Sequence, residues 1–548
     1  MNMRVLFVLG ISVAALGPIR ASAQWSSDPA VNTPVATGSA SQNVPKIAAT
    51  HDGGAYLSWF ENAGSGYVVR LQRIDREGVS QFGAAGLLVS SHPQNSSLVD
   101  HDLIADRDGN AVLAFTDVRS GPDLDVYAYR ISPTQQFLWG PDGVTLSDNT
   151  NFEADPRIAQ NSDGDFVFVW PRTGTPAPAL MMQKLAPDGS KQFGPDGIAA
   201  AGDGVEYPSF EEIVASDNGS VIVSYLRDTR TFSSPRHVRA QKFDAAGAPL
   251  WGAGPVVIYN APVPIAHRPR LVSDEAGGAF VSWHDDRSGG QFRCWIQLVS
   301  AAGAVLYAAN GVATSTQAGR QQFDPALAYA PFPGQLYVVT SERDSAQSQR
   351  GLYAQAFDAL GARLWTDNGR ELLALGAGDR LAPRALRIGR DLVALCLDQP
   401  DATPPKRVLA WRLDASGADV WPAPPVVVAT TSGDKLRLPV ARAGCTGVIA
   451  AWEDRRNDGG GDVYVQNIAP TGALGPRPYR VGDTNCDGVI DNFDIDPFIL
   501  AIVDPTGYNA AFPGCWIETA DANCDGVVDN FDIDAWVACL TGGAGSCP

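Results

Sequence analysis

The chain has 548 residues with 60 acidic against 41 basic side chains, a net charge of −19 and a pI near 4.7. Such a surface repels phosphate backbones and anionic lipid, which sets nucleic acid and membrane surfaces aside as partners. With 56 Gly, 39 Pro and only 4 Met, the composition speaks for many short strands joined by turns, and helix-forming runs are scarce before residue 490.

The N-terminus carries basic Met1 to Arg4, an apolar run from Val5 to Gly17, and the small-x-small sequence Ala21-Ser22-Ala23. This is the pattern of an export signal cleaved after residue 23. The apolar run is too short for a permanent membrane helix, and no later stretch reaches the roughly 20 apolar residues one needs. The mature chain is expected outside the cell, secreted or associated with the cell surface.

Residues 24–476 repeat. A bulky or apolar slot recurs as Trp59, Phe115, Trp170, Tyr225, Trp283, Thr340, Cys396 and Trp452, with successive members 55 to 58 residues apart. Two residues on, six units carry an acid (Glu61, Asp117, Asp285, Glu342, Asp398, Asp454), whereas two carry Arg172 and Arg227. A second register holds Gln72, Tyr129, Gln183, Gln241, Gln297, Gln355, Trp411 and Gln466. Six residues later comes a turn position, glycine in every unit except one, where it is Gln135; four residues beyond the turn an aromatic returns as Phe82, Trp139, Phe193, Trp251, Tyr307, Trp365 and Trp421. Each unit thus reads as about four strands, and four-stranded units at constant period fit the blades of a propeller or a stacked array.

The eighth unit separates these two options. Where its last aromatic belongs it has Pro476, so its final strand is missing, while the mature N-terminus begins with Trp25 and Asp28 in the spacing of Trp139 with Asp142. A strand absent at the end and present at the start predicts an all-β ring of eight blades closed by its own N-terminal strand; an open array would leave an orphan edge. The motif running from Phe115 to Tyr127, and again from Trp452 to Tyr464, resembles the repeats of secreted bacterial β-propellers. That resemblance implies architecture and leaves activity open. Acid–arginine pairs such as Asp117 with Arg119, Asp285 with Arg287 and Asp454 with Arg456 could line a carbohydrate or metal site or tie down a turn. Their recurrence favours the turn, because a catalytic group belongs to a few blades only.

Residues 477–548 read as a small separate domain. The segments starting at Asp483 and Asp521 are near copies 38 residues apart, and each has oxygen-bearing side chains at positions 1, 3, 5, 9 and 12 with Gly at position 6. This is the pattern of a loop that wraps calcium, a hard ion taking six to eight oxygens. The first set is Asp483, Asn485, Asp487, Asp491 and Asp494, with the Val489 carbonyl at position 7. The second is Asp521, Asn523, Asp525, Asp529 and Asp532, with the Val527 carbonyl. After each loop, apolar residues at helical spacing (Ile495, Phe498, Ile499, Ile502; Ile533, Trp536, Val537, Leu540) predict one helix per loop, the two packing face to face.

A loop followed by one helix, occurring twice from Tyr479 to Leu540, resembles the type I dockerin domain. The resemblance implies two bound calcium ions and docking on a cohesin-type or cell-surface partner. The family's partner-contacting pair would fall on Asn492 with Phe493 and on Asn530 with Phe531. Cellulosomal members carry small hydroxyl residues there, a departure that puts a cellulosome-type cohesin in doubt.

Eight cysteines allow about 105 pairings. Cys486, Cys515, Cys524, Cys539 and Cys547 crowd into the small domain, where staples are needed most; Cys294, Cys396 and Cys445 are scattered and could be free. Two functions follow: a non-catalytic propeller that binds a ligand or partner and is tethered through its C-terminal domain, or a polysaccharide-active hydrolase or lyase carrying the same domain. No paired-histidine zinc motif or nucleophile elbow is present. His51, His92, His101, His237, His267 and His284 are each isolated in sequence, so no catalytic residue is named.

Overall fold

The computed structural model describes residues 25–94, 99–121, 123–174, 176–202, 204, 207–228, 235–264, 268–287, 289–401, 406–445, 447–457, 460–476 and 480–542. The signal segment, His267 and Cys547 lie outside them. The chain is an eight-bladed β-propeller with a small helical unit at its C-terminal end.

Each blade is an antiparallel meander, lettered A to D from its innermost strand outward. In blade 1 these strands are Gln42–Ala49, Ala55–Asn62, Tyr67–Ile74 and Leu87–Gln94. Strand A of the following blades starts at Asp102, Arg157, Tyr207, Arg270, Arg320 and Asp379. In blade 8 strand A is split into Lys435–Leu436 and Val440–Ala443, both paired with Gly447–Asp454, which in turn pairs with Asp462–Ile468. The outermost strand of this blade is Thr33–Ala36, with Thr33 opposite Val465. The N-terminus therefore closes the ring.

The two sequence registers explain why the ring holds. The glutamine is a buried clamp. In blade 1, Gln72 Nε2 donates to the Gly83 carbonyl at 2.7 Å, and its Oε1 accepts from the N–H groups of Arg73 and Phe82. A buried amide that satisfies three backbone groups fixes strand C to strand D at small desolvation penalty. In blade 8, Gln466 makes the equivalent bond across the closure, to the carbonyl of Ser26 at 3.0 Å.

The returning aromatic packs on the turn of the next blade. Trp139 donates its indole N–H to the Pro187 carbonyl and covers Gly189; Trp251 does the same with Ala301 and Gly303, and Trp421 with Pro470 and Gly472. Trp25 completes the cycle: it is 3% exposed, donates to the Arg76 carbonyl at 2.8 Å and lies against Gly78. These turn residues have φ near +80°, a left-handed conformation that glycine adopts freely. A Cβ on Gly78 would stand 2.7 Å from the indole, so the turn needs glycine for space as well. Gln135 holds the same left-handed conformation at φ +66°.

The helical unit contains α1 (Ile495–Val503), α2 (Pro505–Ala511) and α3 (Ile533–Gly542). Phe498 of α1 stacks on Trp536 of α3, with centroids 4.4 Å apart and planes within 9°. The expected apolar faces divide: Phe498 and Trp536 are buried, but Ile499 and Val537 point to solvent. The insertion of α2 and the turn Ile517–Ala520 into the same core leaves less of each helix covered. Cys445 is not free. It forms a disulfide with Cys524, linking the A–B turn of blade 8 to the second aspartate-rich loop, and Cys486 pairs with Cys515. Cys294 and Cys396 are buried free thiols. Among the described residues no helix is long and apolar enough to cross a membrane.

Candidate functional site

Two places are candidate sites, and they sit at opposite ends of the A strands. The helical unit lies against the A–B turns of blades 7 and 8. Gly389 there touches Gly526, Arg412 lies 5.4 Å from the centre of the Trp516 ring, and Cys445 enters the unit's core. The ring's central cavity opens around the other ends of the same strands.

In the first aspartate-rich loop, Asp483 Oδ2 accepts from the Gly488 N–H, Asn485 Oδ1 from Asp487, and Asp487 Oδ1 from Val489. Asp494 is fully buried and accepts from the backbone of Thr484, Asn485 and Asp491. The second loop repeats this with Asp521 on Gly526, Asn523 on Asp525, Asp525 on Val527, and Asp532 on Asn523 and Asp529. Asp491 and Asp529 cap the short 3-10 turns Asn492–Asp494 and Asn530–Asp532. Gly488 and Gly526 have φ of +93° and +88°, which serves the sharp bend at position 6.

Among the described residues, no three Asp, Glu, His or Cys side chains already converge as a closed metal cage. The donor chemistry nevertheless fits a hard cation. Asp483 Oδ1 is buried without a hydrogen-bond partner. Burial and the charge of Asp494 push the Asp483 carboxyl upward, and burial with the charge of Asp532 pushes Asp521 up to about 7. Within each loop the carboxylates thus repel one another. Beside them, Phe493 and Phe531 are 77% and 72% exposed. They continue into Ile495, Ile499 and Val503 on α1 and into Ile533 and Val537 on α3, all partly or largely in solvent. Two apolar stripes of the same make thus face away from the unit's core.

The recurring acid–arginine pairs are structural. Asp285 is fully buried, accepts from the Trp283 indole at 2.8 Å and pairs with Arg287, whose guanidinium lies over Tyr259 and Trp295. Asp454 with Trp452, Arg456 and Tyr464 repeats the arrangement, as does Asp117 with Arg119 over Tyr127.

The cavity depends on a register that the sequence reading passed over. Near the start of strand A, one residue takes a left-handed conformation: Val44, Asp155, Phe210, Asp324, Ala382 and Arg437 have φ between +47° and +56°. In blades 1, 4, 6 and 7 this coincides with a slip in pairing to strand B. A bulge of this kind re-aims the side chains that follow it. Proline follows the bulge residue as Pro45, Pro156, Pro325 and Pro383, where no ladder N–H is required. The X-Pro-Lys/Arg sequences at Val44–Lys46, Asp155–Arg157, Arg268–Arg270 and Ala382–Arg384 were the legible signal.

The cavity encloses about 510 Å³, within the size range of small-molecule sites. Lys46 and Arg157 both pair with Asp100, at 2.8 Å each. Burial opposes the charge of Asp100, yet these two cations hold its carboxyl well below the usual range. Asp102 is pushed up by burial, and burial together with Lys46 pushes the neighbouring His101 down to about 3, so its imidazole is neutral. His101 lies against Ser58 Oγ at 2.8 Å. Behind the wall Glu211 is fully buried with neither carboxyl oxygen hydrogen-bonded, and burial raises it far above the usual range. Phe210, Val263 and Trp283 give the lining an apolar side.

No family model matches the chain, and no curated protein matches it. Similar solved structures include a protein of unknown function from Dyadobacter fermentans (12% identity, TM-score 0.38, 79% of this chain and 96% of that one). They also include the polysaccharide lyase Uly1 (10%, 0.42, 78% and 89%) and an α-L-arabinanase from Penicillium chrysogenum (13%, 0.33, 58% and 94%). Similarities this low carry no functional argument.

Proposed function

We propose that the protein is an extracellular binding module in which the propeller takes a saccharide ligand in its central cavity and the C-terminal unit is a calcium-organised docking handle. The observation that carries the handle is the pair of matching apolar stripes led by Phe493 and Phe531, which neither the ring nor the unit's own core covers. Contiguous exposed apolar surface of this kind marks a partner interface. Asp483, Asn485, Asp487, Asp491 and Asp494, with the Val489 carbonyl, would hold one calcium ion. Asp521, Asn523, Asp525, Asp529 and Asp532, with Val527, would hold the other. The ions would offset the mutual repulsion of the crowded carboxylates. A dockerin-like role, with a cohesin-type or cell-surface partner, is the docking mode this arrangement suits.

The disulfide from Cys445 to Cys524 gives the handle a fixed place on the A–B face, so docking leaves the cavity mouth open. A polysaccharide hydrolase or lyase is the second reading, supported by Asp102, whose carboxyl burial favours in its protonated form beside Glu212 and Asp324 in the cavity lining. Glycan-array binding measured beside reducing-end release on a polysaccharide panel separates the two. Saturable binding without turnover supports the binding module, turnover supports the enzyme, and neither activity on any saccharide rejects both.

A further inference from the structure

Charge is unevenly matched around the cavity. On blades 1 to 5 each cation has an acid: Lys46 and Arg157 share Asp100, Arg270 lies 3.1 Å from Glu212, and Arg268 lies 4.0 Å from Glu212 and 3.9 Å from Asp155. On blades 7 and 8 the matching stops. Arg384 donates only to backbone carbonyls, Leu438 at 2.6 Å and Pro383 at 2.9 Å, and makes no ion pair among the described residues. Arg437, next along the wall, is exposed and likewise forms none. Loss of solvation and the like charge of Arg270 pull the Arg384 guanidinium down to about 10, against the opposite charge of Asp324, which is not in ion-pair contact with it.

The rest of the lining narrows which anion would suit Arg384. Phe210 offers flat apolar surface, and Asp102, Glu212 and Asp324 offer oxygen acceptors. Acceptors suit a ligand rich in hydroxyl groups, while the carboxylates of Glu212 and Asp324 disfavour a dianion such as a phosphate monoester. A planar carboxylate meets a planar guanidinium in a two-point contact.

We propose that the cavity binds a uronate unit of an acidic polysaccharide, its carboxylate seated on Arg384 and Arg437 and its hydroxyls donating to Asp102, Glu212 and Asp324. This rests on the reading of the ring as a saccharide-binding module and names the class of saccharide.

The test is calorimetric titration of the full chain with oligogalacturonate and oligoglucuronate, with cello- and xylo-oligosaccharides as neutral counterparts and sodium sulfate as competitor. An acidic oligomer should bind about tenfold or more tighter than either neutral one, and Arg437→Ala should weaken it about tenfold. Arg384→Lys, which keeps the charge and removes the fork, should weaken it as well; Arg437 is exposed, so its variant tests the site even if changes at Arg384 disturb folding. Equal affinity for acidic and neutral oligomers overturns the uronate assignment while the ring remains a saccharide binder. Sulfate competing as well as uronate overturns it too, as does uronate binding that both variants leave unchanged. Failure of every saccharide to bind removes the underlying reading along with it.

Discussion

Replacing Trp25 by alanine should loosen the ring at the seam where its N-terminal strand closes blade 8. The indole is 3% exposed, its N–H bond to the Arg76 carbonyl is 2.8 Å long, and its face covers Gly78. Burying an indole removes about 200 Å² from water, worth about 5 kcal/mol at ~25 cal/mol per Å². Measured aromatic-to-alanine changes in cores run to about 3–5 kcal/mol, a large share of the ~5–15 kcal/mol that holds a domain folded. The indole shares a buried cluster with Val463 and Val465, and adds to the strand pairing of Thr33–Ala36 and to the Asn32–Val428 and Gln466–Ser26 bonds in holding the closing strand on blade 8. Urea unfolding with amide hydrogen exchange is the assay, and Trp139→Ala is the control, since Trp139 plays the same part on Gly189 inside continuous chain. Trp25→Ala should lose about 3–5 kcal/mol and release the amides of Val463 and Val465; the control should destabilise without releasing them. A loss under about 1 kcal/mol, within the range of an ordinary surface change, with those amides still protected, would refute the closure argument.

Glu342 is fully buried, and burial raises its carboxyl from 4.5 to about 7 against the hydrogen bonds from Gln322 and Asn368. A raised folded-state value means that its stabilising contribution is complete below about 4.5 and fades as pH rises through about 7. Glu342→Gln should therefore be more stable than the parent at pH 8, on the order of 2–3 kcal/mol, and no more stable at pH 4.5; urea midpoints across that range check this. Cys445→Ser should loosen the C-terminal unit from the ring. Closing the 79-residue separation between Cys445 and Cys524 is worth about 4 kcal/mol of chain entropy, and limited proteolysis should release the C-terminal unit faster from the variant than from the parent.

The ring was legible because its constraints recur. Glutamine clamps recur in six blades and the aromatic-on-turn spacing in nearly all, so the copies reinforce one another, and the missing eighth aromatic pointed straight to Trp25. The inner-strand bulge was overlooked because its left-handed position is filled by Val, Asp, Phe, Ala and Arg in turn. Only the proline and the arginine beyond it repeat, and those not in every blade. The Cys445–Cys524 pair was unreadable for another reason: one partner lies in a propeller turn and the other in a different domain, and spacing says nothing of how two units pack. Helical periodicity marked Ile499 and Val537 as core with Phe498 and Trp536. It could not anticipate that α2 would share that core and leave them outside.

The most direct measurement is calcium titration of the chelator-stripped full-length chain by calorimetry, repeated on Asp483→Ala and Asp521→Ala. Two ions bound per chain, one lost in each variant, together with a gain in near-UV signal and protease resistance on binding, is the result the account predicts. No heat in the parent, with spectrum and proteolysis unchanged by calcium, would contradict it.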